Sequence, residues 1–284
     1  RILVAVGTAL RDDLGDDDQA VDALVEALRS DPTNVAALDA LEPLLRTTGR
    51  WPEALAAVQG AVTTAPGAAG ALAAIEILVR WYTREVTQPE AARQWVEQIR
   101  KIDTTHSLVH LLDAAVARDR GDFKRELDEL DFAVLSAKRA DDRARIHLLM
   151  AARYCEDRSR DLAQAKKHYE AARKLFPRQM EALLGLEQLA VWQEDKRALA
   201  EVLRDQAEAD LEPAARVDVL LRLARLEEEE FRRPELAART LERIIDVHPD
   251  HEAALDALER CYRGARAWNE LASVLERGAA PWRT

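Results

Sequence analysis

The chain has 284 residues, of which 48% are hydrophobic, 5% aromatic and 33% charged, with a formal net charge of -11. Ten glycines and ten prolines make up about 7% of it, against roughly 12% in average usage, which excludes collagen-like, loop-dominated and disordered chains. The acidic balance argues against a phosphate-binding surface, and no apolar run approaches the ~18 residues of a membrane span.

Apolar residues recurring every three to four positions predict helices throughout, in pairs joined by short connections. In chain order the pairs are 1–14 with 17–30, 34–48 with 51–64, 68–86 with 88–102, and 104–120 with 122–138. They continue as 140–158 with 161–175, 178–194 with 196–210, 213–231 with 234–247, and 250–264 with 267–279. A period underlies this order, and a fixed period of that size marks a repeat architecture. Pro32 and Pro66 are one step apart, as are Pro177, Pro213 and Pro249, and the intervening steps land near Asp103 and Ala140. Before these marks stand small residues (Ala20, Ala54, Ala91, Ala165, Ala237), then large ones (Leu24, Val58, Trp95, Phe132, Tyr169, Leu241), then small ones again (Ala27, Ala61, Ala172). Small, large, small lets two helices approach closely while one side chain fills the gap. The proline then ends the second helix, because it lacks an N–H and biases the preceding residue away from helix. The pattern is weakest at Asp128, where Ala is expected, and at Ala200 and Ala207, which slip by one residue.

These residues resemble the tetratricopeptide repeat family, with its helix pairs, small residues in both helices and terminal proline. Ser30-Asp31-Pro32-Thr33-Asn34, Phe176-Pro177-Arg178-Gln179 and His248-Pro249-Asp250-His251 match the family's junction. Trp51-Pro52, Gln88-Pro89 and Arg233-Pro234 open second helices with proline in the first turn, where the missing N–H is no loss. The resemblance implies an all-α, right-handed superhelical solenoid of about eight helix pairs. It would form a single array over 1–284, with junctions near 32, 66, 103, 140, 177, 213 and 249. Because the chain begins at Arg1 and enters an apolar stretch at once, we expect a piece of a longer protein. We expect a cytoplasmic setting, with the periplasm as the alternative if a signal segment has been removed.

Five groups invite chemistry. Asp12-Asp13-Leu14-Gly15-Asp16-Asp17-Asp18 has the wrong spacing for a calcium loop and reads as a turn with acids at the start of a second helix. His106, His110 and Asp113 share a helix, and His248 with His251 flank a junction, but neither set completes a metal site. Cys155 lies among Leu148, Leu149, Met150 and Tyr154 and reads as a structural thiol; Cys261 stands too far along the array to pair with it. Glu227-Glu228-Glu229-Glu230 ends a first helix against its dipole, a cost we expect Arg232 and Arg233 to offset. No Gly-rich phosphate loop, Gly-x-Ser-x-Gly elbow or Cys-x-x-Cys pair occurs, so we expect no catalysis, no cofactor and no metal.

In the family the first helices line the concave groove. Aligning the repeats puts Arg46, Arg80, Arg118, Arg153, Arg222, Arg260 and Arg263, with Trp192, near that face. A guanidinium column suits an acidic or C-terminal carboxylate peptide through bidentate bonds, while cations late in a helix are also favourable in themselves. The Lys and Asn set of the chaperone-tail clamp is not found. The expected function is a non-catalytic scaffold or adaptor that binds a protein or peptide, in the style of bacterial arrays organising motility, secretion or envelope-assembly machines. Two alternatives stay open: the regulatory or sensory arm of an enzyme or transcription regulator, and an RNA-binding helical repeat, which the net charge opposes.

Overall fold

The computed structural model describes residues 1–64, 70–156 and 161–279, with side chains to residue 274. The predicted junction at Pro66, and the outer ends of the helices predicted at 68–86 and 140–158, lie outside the described residues. All regular elements among the described residues are helical. Two compact units are found, Arg1–Ala137 and Lys138–Thr284. The first holds α1 (Ile2–Asp12), α2 (Asp17–Ser30), α3 (Val35–Thr48), α4 (Trp51–Thr64), α5 (Ala71–Arg84), α6 (Pro89–Ile102), α7 (Ser107–Asp119) and α8 (Phe123–Ser136). The second holds α9 (Ala140–Cys155), α10 (Leu162–Leu175), α11 (Met180–Trp192), α12 (Lys196–Ala207), α13 (Pro213–Arg225), α14 (Pro234–Ile245), α15 (Glu252–Ala265) and α16 (Trp268–Ala279). A π-helical turn, Leu226–Glu230, extends α13.

The connections hold because the helix ends are capped. Asp16, Asp122, Asp161 and Asp195 each accept the backbone N–H three residues on, which starts α2, α8, α10 and α12. Proline in the first turn opens α6, α13 and α14. At the junction before α3, Asp31 Oδ1 accepts from Thr33 N and Oγ1 at 3.1 and 2.9 Å. Before α7, Asp103 makes the same two bonds to Thr105 at 2.9 and 2.7 Å, so the junction survives without its proline. Pro213 differs from the other marks: it is the first residue of α13 and closes nothing.

In the first unit Ala20, Leu24, Ala54, Val58, Leu78 and Trp81 are fully buried. A Cβ on Gly7 would lie 2.6 Å from Leu24 Cγ, so α1 and α2 meet at backbone range. Three expected core positions move. Ala92 and Val62 take the inward places assigned to Ala91 and Ala61, a shift of one residue along each helix. Phe132 is 55% exposed, because α8 turns Glu126, Leu130 and Ala133 inward (four, then three apart) and leaves Phe132 beside the His110 ring at 5.4 Å. In the second unit Ala165, Ala172, Leu183, Ala237, Leu241 and Cys261 fill the core, and the slipped Ala200 and Ala207 are buried too. Gly185 admits the Tyr169 ring directly onto the backbone of α11.

The acidic run after α13 is held differently from expectation. Glu227 is fully buried, accepting from Thr240 Oγ1 at 2.7 Å and pairing with Arg204 at 3.3 Å. Glu228 pairs with Arg260 at 3.7 Å and Glu230 with Lys196 at 3.5 Å. The compensation therefore comes from side chains of the neighbouring helices α12, α14 and α15, while Arg232 spends its backbone on a left-handed turn at φ 55°. The widened π turn brings the Glu227 side chain inward and lets its carbonyl receive Arg233 N at 2.9 Å.

Candidate functional site

Several of the arginines expected on the first helices are already partnered. On α5, Arg80 pairs with Glu42 of α3, whose same oxygen accepts from Trp81 Nε1 at 2.9 Å. Arg46 of α3 reaches Glu85 at the end of α5 with two bonds, 2.8 and 3.2 Å. That fork holds the Glu85 carboxyl below its usual range. In the second unit Arg222 of α13 pairs with Glu187 of α11, which also accepts from Gln206 of α12. Arg260 of α15 meets Glu228, which also takes a hydrogen bond from the Cys261 thiol. One device recurs at Glu42, Glu187 and Glu228: a largely enclosed Glu held by an Arg about one repeat further on and by a second donor, whereas Glu85 is held by Arg46 from one repeat earlier. Each exposed pair contributes at most about 1 kcal/mol, so the device fixes register more than it adds stability.

The remaining predicted positions are less uniform. Arg263 pairs within its own helix with Glu259 at 2.5 Å. Arg153 is largely enclosed, its side chain 13% exposed and held by Glu156. Arg118 lies exposed in the last turn of α7. Trp192 is 46% exposed at the end of α11. Within each unit, arginines expected on the first helices thus pair with acids about one repeat away. The missed partners are Glu42, Glu85, Glu187 and Glu228; their signal was an acid about one repeat period from each arginine.

The other clusters are divided among separate tasks. Asp16 caps α2, and Asp18 and Asp22 hold Arg50. His106 caps α7 by accepting from Leu108 N through Nδ1 at 3.2 Å, so its Nε2 donates to Glu76 at 2.7 Å. His110 pairs with Glu129 at 2.8 Å and Asp113 with Arg100 at 2.8 Å, so the three do not converge. His251 caps α15. Among the described residues no group of three or more His, Cys, Asp or Glu could hold a metal ion. Burial raises the Cys155 thiol, which is bonded to Tyr169, and pushes Cys261 up to about 12. Beside Tyr169, His168 stacks on Tyr154 and meets His147 Nδ1 at 3.1 Å; burial and that neighbour lower it to about 4.

Residues 218–251, running from α13 through α14 to the cap of α15, match the family model for the tetratricopeptide repeat. Over this segment the chain is similar to the tetratricopeptide repeat. The described residues form sixteen α-helices and one π-helical turn, without strands. Among solved structures, the chain is similar to a tetratricopeptide repeat protein from Parabacteroides merdae, at 16% identity over 91% of this chain and 97% of that one, TM-score 0.47. It is similar to Pseudomonas aeruginosa pilF at 16% identity over 84% and 97%, TM-score 0.49. It is also similar to yeast Tom70 at 14% identity over 95% of this chain and 56% of that one, TM-score 0.41. No curated protein matches the chain. No helix among the described residues is long and apolar enough to cross a membrane.

Proposed function

We propose that the chain is a non-catalytic protein-interaction scaffold, one repeat array over 1–284, that binds an acidic protein or peptide partner along its first helices. Arg46, Arg80, Arg118, Arg153, Trp192, Arg222, Arg260 and Arg263 supply the contacting positions. The observation that carries the reading is the match to the tetratricopeptide repeat at 218–251, set among further helix pairs. Repeats of this kind contact only their neighbours and leave one long surface of first helices free for a partner. The setting we favour is a bacterial multiprotein machine in the cytoplasm.

The test is affinity capture with the full chain from its source cells, comparing two variants. One replaces Arg46, Arg222, Arg260 and Arg263 by Ala, all side chains at least half exposed. The other replaces the exposed second-helix arginines Arg29, Arg125 and Arg243 by Ala. Loss of the retained protein in the first variant alone supports the reading; equal retention by both refutes it.

A further inference from the structure

One first helix of the second unit departs from the charged pattern. On α11, Leu184, Val191 and Trp192 are 53%, 49% and 46% exposed. At about 100° per residue, Leu184 and Val191 lie about 20° apart around the helix, and Trp192 about 80° from Leu184. The three share one face, with exposed Gln188 between them. The neighbouring α13 turns Asp218, Arg222 and Arg225 outward, and α15 turns Asp256, Arg260 and Arg263 outward. Among the described residues, no other first helix of this unit exposes more than one large apolar side chain. Large apolar side chains clustered on a wet, charged surface mark a contact site.

The bond between Glu187 and Arg222 sets the register of α13 against α11. As first helices of successive pairs, the two run in the same direction. Arg225, three residues beyond Arg222, therefore stands about 4.5 Å further along, level with Ala190 and Val191. Arg222 is occupied by Glu187, whereas Arg225 is exposed and makes no ion pair among the described residues. An uncommitted guanidinium, Arg225, thus stands about level with the C-terminal end of the apolar face.

We propose that this shelf receives a short partner segment carrying a large apolar or aromatic side chain and, about one helical turn away, a carboxylate. The apolar group packs on Leu184, Val191 and Trp192, and the carboxylate bonds Arg225. This rests on the scaffold reading above and assigns it one subsite. The net charge of -11 repels acidic segments at range. Recognition of the carboxylate is therefore local, and an acidic segment without the apolar anchor is refused.

The test uses the full chain and three fluorescein-labelled short peptides, read by anisotropy. One carries leucine and tryptophan with aspartates a helical turn away; one has lysines for the aspartates; one has serines for the apolar residues. Only the first should bind. Trp192→Ala should weaken it about tenfold or more, as loss of an aromatic anchor does. Arg225→Glu should abolish the preference for aspartate over lysine while circular dichroism stays unchanged. Equal binding of the lysine peptide, or unchanged affinity in both variants, overturns the shelf. If the first peptide binds but is lost only when Arg46, Arg260 and Arg263 are replaced, the scaffold reading stands and the shelf falls. Binding of none of the three also overturns the shelf, and the capture experiment then decides the scaffold reading separately.

Discussion

Gly185→Ala probes the packing between successive helix pairs in the second unit. A Cβ there would sit 2.3 Å from Cε1 and Cζ of Tyr169, and 2.7 Å from Cε2. Carbon atoms in contact prefer ~3.5–4.0 Å, so the ring must retreat by more than ~1 Å. It is hemmed in, because Tyr169 packs with the buried Leu183 and Leu186 and bonds Cys155. Overpacking of this kind costs ~1–3 kcal/mol, and loss of the Tyr169–Cys155 bond adds about 1. Alanine's better helix propensity returns up to about 1 kcal/mol. The net expectation is destabilisation by ~1–3 kcal/mol, read as a lower urea midpoint with helicity followed by circular dichroism. Gly60→Ala is the control: α4 is regular there and nothing lies within 4 Å of the new Cβ, so the same substitution stabilises by up to about 1 kcal/mol. Adding Tyr169→Leu to Gly185→Ala should recover much of the loss, giving a coupling well above additivity. If Gly185→Ala melts like Gly60→Ala, the assigned contact between α10 and α11 is wrong.

Three further outcomes are expected. His168, lowered to about 4 from 6.5, stays neutral in the fold while the unfolded chain binds a proton. Its stabilising contribution is therefore complete above pH 6.5 and is lost as pH falls towards 4, by ~1–2 kcal/mol after solvent screening. Denaturant midpoints across that window should fall for the parent and flatten for His168→Phe. Glu227→Ala removes the buried partner of Thr240 and Arg204 and should cost about 2 kcal/mol, whereas the exposed Glu229→Ala should change stability by less than about 0.5 kcal/mol. Cys261, buried and with its thiol raised to about 12, should resist iodoacetamide in the folded chain and react fully in denaturant; mass spectrometry of the labelled peptide reads both states.

The helix pairs were legible in the sequence because apolar periodicity and prolines are local signals, and the caps seen in the structure agree with them. Asp16, Asp122, Asp161 and Asp195 declare helix starts by their own chemistry, and the Asp31 and Asp103 junctions share their bonds whether or not proline is present. What escaped was rotation about each helix axis. Ala91 and Ala92 are equally small, so composition cannot say which points inward, and neighbouring packing decides. Phe132 looked like core by type, yet the inward stripe of α8 follows Glu126, Leu130 and Ala133. The arginines were found without their acids for a related reason. Glu42 and Arg80, or Glu187 and Arg222, meet only when one repeat stacks on the next, and nothing nearby in sequence announces the pairing. Trp192 was visible by alignment, but its companions Leu184 and Val191 are set apart only by their exposure.

The central claim is that the first helices carry the partner. Site-specific photo-crosslinking tests it most directly, with benzoylphenylalanine placed in the full chain at Gln188, Arg225 and Asp256 on first helices and at Glu201 and Arg239 on second helices, all exposed. After irradiation in source cells, one discrete adduct should form from the first-helix positions and none from the second-helix positions. Adducts from Glu201 and Arg239, with none from Gln188, Arg225 and Asp256, would contradict the account.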